Sequence, residues 1–316
     1  MSHRGVYFDP LDLIGNTPII KIKKLSDPLH AEVFLKLEYF NFGGSVKDRA
    51  AKSIIEWAES SGELREHREI LEASSGNTGI AIAMLSAIKG YRCTIVMPES
   101  ASIERRKIIS AYGARLILTP AELGTAGAIE FKKKLLKDDE GRYLDLDQFS
   151  NPANVYAHYS GTSLEIINQL GGPPEAVVVP VGTGGTSMGI SLRMKEINKN
   201  IKIIGIAPAL GVRVEGLRNP RDKNPSKLIN MDAFDEFIEI DESMKAEMFQ
   251  TLRRAASVEG IFLGPSSGCV LHVAIERAKS MPQDSRIVAI APDNGMKYLS
   301  TDVFPDQSIK SKDIQE

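Results

Sequence analysis

Val177-Val178-Val179-Pro180-Val181-Gly182-Thr183-Gly184-Gly185-Thr186-Ser187-Met188-Gly189 is a β-branched run that enters a turn of glycine and threonine and leaves into a helical pattern. An unbroken apolar run belongs to a strand buried on both faces, because alternation with polar residues would mark a half-solvated one. Strand, polar turn and helix form the repeating unit of α/β proteins with mostly parallel sheet. The unit recurs on both sides of this stretch. Candidate strands are Val33–Glu38, Glu69–Glu72, Cys93–Met97, Arg115–Leu118, Ala176–Val181, Ile203–Ala207 and Arg286–Ala291. Candidate helices are Ala50–Ser60, Ile80–Lys89, Ile103–Tyr112, Thr125–Leu136, Thr162–Gln169, Met188–Ile197 and Ser243–Val258. Ligands of such folds bind where strand C-termini meet helix N-termini.

The chain has 316 residues, 42% of them apolar, and a formal charge of −2. That length supports a large core and permits two domains. The near-neutral balance speaks against nucleic acid, whose phosphates demand a basic face. No run approaches the roughly 20 apolar residues of a membrane span, and no signal-peptide layout opens the chain, so the cytosol is the expected compartment. Cys93 and Cys269 are the only cysteines. They are read as packing residues rather than a disulfide framework. His3, His30, His67, His158 and His272 show no metal-ligating spacing and are read as surface or core residues. The polar tail from Asp306 to Glu316 is expected to fray.

Four segments carry chemistry. Gly182-Thr183-Gly184-Gly185-Thr186 offers backbone N–H groups, two hydroxyls and a helix dipole to an anion. It lacks the last glycine of a dinucleotide loop and the lysine of a nucleotide-triphosphate loop, so a single phosphate fits it best. Ser74-Ser75-Gly76-Asn77-Thr78-Gly79 offers four polar side chains at another strand-to-helix turn, which suits a carboxylate, although capping by Ser75 or Asn77 explains it equally. Lys47 follows the glycine turn of Asn41-Phe42-Gly43-Gly44-Ser45-Val46 and precedes a helix. Burial there would lower its pKa and favour the neutral amine that forms an imine. Ser266, in Gly264-Pro265-Ser266-Ser267-Gly268, either caps a helix or presents a hydroxyl to a ring nitrogen. A lysine, a phosphate loop, a hydroxyl-rich loop and a serine turn together point to pyridoxal phosphate.

With these segments in this order, the sequence resembles the cysteine synthase and cystathionine β-synthase family. The resemblance runs from Ile14-Gly15-Asn16-Thr17-Pro18 to Lys297-Tyr298-Leu299-Ser300-Thr301, through Met97-Pro98-Glu99, Glu104-Arg105-Arg106-Lys107 and Gln148-Phe149-Ser150-Asn151-Pro152-Ala153-Asn154. It implies the pyridoxal-phosphate fold type II, like the tryptophan synthase β chain, with two three-layer αβα domains of mostly parallel sheet. Residues 44–156 would form the smaller, substrate-binding domain. Residues 1–43 with 157–316 would form the larger one. Lys47 would be the Schiff-base lysine and the acid and base at Cα. Asn77 would bond the ring hydroxyl, Gly182, Thr183, Gly184, Gly185 and Thr186 the phosphate, and Ser266 the pyridine nitrogen. Ser74, Ser75, Thr78 and Gln148 would hold the substrate carboxylate. The family usually reads threonine where this chain has Ser74, which bears on the substrate rather than the cofactor.

The resemblance implies β-replacement: an O-activated serine loses its β-substituent to give an α-aminoacrylate, and sulfide adds to yield L-cysteine. Gly216-Leu217-Arg218-Asn219 resembles the stretch where the O-phosphoserine-using branch places a phosphate-binding arginine. Between Ala209 and Lys227, five basic residues (Arg213, Arg218, Arg221, Lys223, Lys227) face two acidic ones (Glu215, Asp222). An arginine fork matches a phosphoryl dianion better than a neutral acetyl ester. O-Phosphoserine is therefore favoured over O-acetylserine, with Arg218 as its ligand. Cystathionine β-synthase and diaminopropionate synthase chemistry stay open as alternatives with other nucleophiles. So does a role chiefly as a binding partner of serine acetyltransferase. A homodimer is the family's usual state, and a sulfur-carrier protein is a possible donor.

Overall fold

The computed structural model describes residues 6–65 and 67–305, so His3 and the tail from Asp306 onward lie outside the described residues. The chain opens with β1 (Ile19–Lys21), β2 (Glu32–Leu37), α1 (Lys47–Ser60), β3 (Glu69–Ala73), α2 (Asn77–Lys89), β4 (Cys93–Pro98), α3 (Ile103–Ala111) and β5 (Arg115–Thr119). It continues through α4 (Gly124–Asp138), β6 (Tyr143–Asp145), α5 (Ala153–Ala157), α6 (Ser163–Leu170), β7 (Ala176–Pro180), α7 (Gly185–Ile197) and β8 (Lys202–Pro208). It closes with β9 (Glu236–Ile240), α8 (Glu242–Arg254), α9 (Pro265–Ala278) and β10 (Arg286–Ala291).

Two sheets result. The larger runs β1-β2-β10-β7-β8-β9 and is parallel apart from β1, which pairs antiparallel with β2. The smaller runs β5-β4-β3-β6 and is parallel throughout. Period two sorts the side chains to opposite faces. Ala176 and Val178 of β7 join a core with α8 and α9, whereas Val177 and Val179 join another with α6 and α7. In the smaller sheet Ile70 and Ile95 pack on α1 and α2, while Leu71, Ala73 and Val96 pack on α4. Helices thus cover both faces of each sheet, giving two αβα sandwiches.

All seven expected strands form, each within a residue of its expected ends. Three further strands are present. β1 and β6 are three residues long, too short to show a period, and β9 (Glu-Phe-Ile-Glu-Ile) is an edge strand whose glutamates break the apolar run. The helices depart in a regular way: α1, α2 and α7 begin at Lys47, Asn77 and Gly185, each three residues before the apolar periodicity starts. Their first turns are polar or glycine-rich because they make polar contacts rather than core ones: Lys47, Asn77 and Thr78 line a cavity, Asp48 accepts from Gly43 N–H, Arg49 donates to Glu38, and Thr186 meets His158. The expected helix Ser243–Val258 gives way after Arg254 to a π-helical turn over Ala255–Glu259, and a second π turn over His158–Thr162 leads into α6. Cys93 and Cys269 are buried and unpaired, as packing residues should be. Among the described residues no helix is long and apolar enough to cross a membrane, and no cluster of metal-ligating side chains forms.

Candidate active site

A cavity of about 580 Å³ opens at the C-terminal edges of the strands. β3 delivers Ser74–Thr78 to it, β7 delivers Gly182 and Thr183, and β10 delivers Pro292. The N-termini of α1, α2 and α9 bring Lys47, Asn77 and Ser266 to the same space. Helix N-termini carry unsatisfied N–H groups and about half a positive charge each. Their convergence makes the cavity hospitable to anions before any charged side chain is counted.

The anion loop enters α7 through Gly184 at φ +92°, a conformation that disfavours any residue with a Cβ. Gly185 is held by contact: a Cβ there would collide with the Asn154 amide. That amide donates to Gln148 O (2.8 Å) and to Thr183 Oγ1 (3.0 Å), so α5 orients one of the loop hydroxyls. The other, Thr186 Oγ1, lies 3.2 Å from His158 Nε2, and His158 Nδ1 lies 2.9 Å from Thr162 Oγ1. His158 is therefore no idle core residue: it ties the π turn to the loop. Single π turns often sit at functional sites.

Burial holds the His158 imidazole at about 3, with Arg49 and Lys47 reinforcing the shift and Glu38 and Glu165 opposing it. The folded chain keeps it neutral, whereas the unfolded chain protonates it below about 6.5. Its stabilising contribution is complete above that pH and is lost progressively as the pH falls towards 3. Between pH 7 and pH 4 the loss is about 3 kcal/mol. Urea unfolding at the two pH values should show it, and the His158→Gln variant should lose less by that amount. Equal losses in both proteins would remove the imidazole as the cause. Asp48, raised to about 7 by burial, contributes in the opposite direction but is common to both.

Lys47 is the first residue of α1, half-buried, with its N–H on Ser45 Oγ (3.2 Å). Ser45 bridges to Asp293 and Val46 N–H bonds Pro292 O (2.9 Å), so the lysine segment is anchored to the loop after β10. Burial lowers the Lys47 pKa, partly offset by Asp293, Glu38 and Asp48. Beside it, Lys297 donates to Gly44 O (3.0 Å) and Asn77 Oδ1 (3.0 Å), while Asn77 Nδ2 donates to Asp293 Oδ2 (2.7 Å). Lysine only donates and an ionised carboxylate only accepts, so these two neighbours leave the Asn77 amide one orientation. Asp293 Oδ2 also accepts from Tyr298 Oη.

The Ser74–Gly79 loop is organised differently from either capping reading. Ser74 Oγ, and not Ser75 or Asn77, accepts from Gly76 N–H (3.2 Å) and Gly79 N–H (3.1 Å). The turn places Ser74 two residues before the Gly76 cap, where a hydroxyl reaches back over the first helical turn. Thr78 Oγ1 donates to Gln148 Oε1 (2.7 Å), which brings the fourth expected carboxylate ligand to the loop across 70 residues of sequence. Asp147, at φ +42°, turns the chain that presents Gln148. Ser266 Oγ is buried at the cavity wall and has no hydrogen-bond partner among the described residues.

Arg218 also lines the cavity. Its Nε donates to Asp222 (3.0 Å), and its guanidinium lies 5.0 Å from the Phe149 ring centre. Arg213 and Arg221 of the same basic stretch are exposed and pair with Glu215 and Glu239. Sequence reasoning left out Asn154, His158, Asp293, Lys297 and Arg105 as individual site residues. Each reaches the site from a distant part of the chain, and Asn154, Lys297 and Arg105 stood in segments that resemble the family's.

The family model described as "Pyridoxal-phosphate dependent enzyme" matches residues 10–293. Cysteine synthase B of Escherichia coli (strain K12) is 43% identical over 295 residues, which cover 93% of this chain and 95% of that protein. Among solved structures, O-ureido-L-serine synthase superposes with a TM-score of 0.90 at 33% identity, covering 98% of both chains. The cysteine synthase of Entamoeba histolytica superposes at 0.87 with 34% identity, covering 99% of this chain and 95% of that one.

Proposed function

The chain belongs to the pyridoxal-phosphate dependent enzyme family, and from that premise we propose that the cavity at its strand ends forms L-cysteine from an O-activated serine and sulfide. The residues present fit the cofactor. Ser266 Oγ is a buried hydroxyl awaiting a partner, which a ring nitrogen would supply. The Gly182–Thr186 turn offers oriented hydroxyls and N–H groups to a phosphate. When bound, pyridoxal phosphate supplies the electron sink that acidifies the α-proton and lets a β-substituent leave.

The remaining roles fall to the chain. Lys47 takes the proton from Cα and later returns it, a task that its lowered pKa favours because burial disfavours the charged amine. Asn77 keeps its amide in one orientation through Lys297 and Asp293, so its Nδ2 is ready to donate. Ser75, Thr78 and Gln148 hold the substrate carboxylate at the head of α2, with Ser74 shaping the loop. Residues 44–156 would be the substrate-binding unit, since they supply both Lys47 and that loop. What carries the reading is the meeting of a desolvated lysine amine, an unpartnered serine hydroxyl and several helix N-termini in one cavity.

We assign Arg218 to the leaving group. Asp222 engages its Nε, and the side chain is only 19% exposed at the cavity wall. A forked cation there matches a phosphoryl dianion and gains little from an acetyl ester. kcat/KM with sulfide for O-phosphoserine and O-acetylserine, measured side by side, is the test. The Arg218→Ala variant should lose roughly 30-fold on O-phosphoserine, the value of one or two charge-assisted bonds, and only a few-fold on O-acetylserine. Equal losses would exclude a phosphate contact. If neither donor yields cysteine while the β-substituent is still eliminated, the nucleophile is wrong, and amines or homocysteine come next.

A further inference from the structure

We propose that Arg105 is the counter-ion of the substrate's α-carboxylate, an inference that rests on assigning that carboxylate to the Ser74–Gly79 loop. Arg105 stands in the first turn of α3, lines the cavity and is 5% exposed. A buried guanidinium normally has a carboxylate beside it, because an uncompensated buried charge costs several kcal/mol. Arg49 obeys that rule with two of them, Glu38 and Glu165. Arg105 does not. Its Nε has no partner, and its hydrogen bond among the described residues is a long one, from Nη1 to Ser75 O at 3.5 Å. It lies over the Tyr298 ring at 4.7 Å from the centre, which supports a cation without neutralising it.

The guanidinium packs against the loop itself. A Cβ at Gly76 would lie 3.5 Å from Arg105 Nε, so the cation stands one methyl group's width from the loop backbone. The ligands expected for the carboxylate (Ser74, Ser75, Thr78 and Gln148) are all neutral. A carboxylate drawn from water into the inner wall of a half-open cavity gains from a formal positive charge as well as donors. The other cations at or beside the cavity are placed differently: Arg213 and Lys223 line it but are exposed, Arg213 being paired with Glu215. Lys297 is bound to Gly43 O, Gly44 O and Asn77. Lys47 must be neutral to take a proton, and Arg218 has Asp222. Among the described residues that line the cavity, Arg105 is the buried guanidinium without a carboxylate, and its Nη1 lies 3.5 Å from Ser75 O of the loop.

The test uses the holoenzyme and two probes without a leaving group on Cβ, L-alanine and L-alaninamide, titrated by the change in the cofactor's absorbance. The Arg105→Gln variant should weaken L-alanine about 30-fold, as loss of a charge-assisted bond predicts, and L-alaninamide less than about 3-fold. For the reacting amino acid its KM should rise while kcat holds within a few-fold, and Arg105→Lys should restore part of the affinity. Equal weakening of both probes would mean that Arg105 only braces Tyr298, and it overturns the proposal, as does unchanged binding of L-alanine. Should Arg105→Gln fail to fold, Arg105→Lys carries the test, with a several-fold selective loss for L-alanine expected and an equal loss overturning. A wild-type enzyme that makes no cysteine yet shows this Arg105-dependent preference would sink the cysteine-forming reading and keep this one.

Discussion

Lys47→Ala is expected to abolish cysteine formation, with kcat falling roughly 10⁴-fold, the upper range for removing a positioned proton-transfer group. The lysine occupies the first position of α1, between a glycine turn and a helix rich in buried alanine and isoleucine. Alanine is the best helix former there, so the fold should survive the change. What disappears is an amine whose charge burial has already weakened. Steady-state kinetics with sulfide and an O-activated serine measure the loss. Borohydride reduction followed by peptide mass analysis provides a second readout: the wild-type peptide holding Lys47 should gain the mass of a phosphopyridoxyl group, and the variant should not. Lys47→Arg should be as inactive as Lys47→Ala, because a guanidinium keeps its charge at any working pH. Turnover retained by Lys47→Ala would overthrow the assignment.

Arg49→Met is expected to destabilise the protein by about 4 kcal/mol, the cost of stranding one partner of a buried ion pair. Arg49 stands two residues beyond Lys47 and turns away from the cavity. Its Nε donates to Glu38 Oε2 (2.6 Å) and its Nη2 to Glu38 Oε1 (2.9 Å), while Nη1 and Nη2 grip both oxygens of Glu165 at 2.6 and 2.7 Å. Lys36 joins the cluster through Glu165 Oε2 (2.7 Å) and Thr17 O (2.6 Å). Burial opposes the charge on Glu38, but Arg49 outweighs it and holds the carboxyl below its usual range; Glu165 is held likewise, at about 2. The cluster fastens α1 to β2 and α6, and so fastens the lysine-bearing helix to the larger sheet. At roughly 2 °C per kcal/mol for a chain of this size, the thermal midpoint should drop by about 8 °C. The Glu38→Met/Arg49→Met pair should be less destabilised than Arg49→Met alone, because no carboxylate is then left without its cation. A loss under about 1 kcal/mol in Arg49→Met would place the pair with surface salt bridges.

Local chemistry made most of this protein legible. Val177–Val181 and the strands like it carry their own period, and glycine and serine mark where each strand stops, so seven strands and the parallel α/β class followed from residue order. The ordered loops around Lys47, Asn77, Gly182 and Ser266 pointed to the cofactor for the same reason: each is a contiguous segment that carries its own chemistry. Three things needed the tertiary structure. The helices α1, α2 and α7 start one turn before their apolar pattern, because a turn that lines a cavity or meets buried polar partners has no reason to be apolar. The orientation of Asn77 depends on Lys297 and Asp293, more than 200 residues away. The roles of His158 and Arg105 depend on what surrounds them, since a histidine becomes a neutral brace, and an arginine an unpaired cation, only once burial removes water and a particular neighbour is present or missing. Sequence records which groups a chain owns and how they alternate along it. Which of them are desolvated together, and which are left without a partner, is set by packing between segments that the chain order does not join.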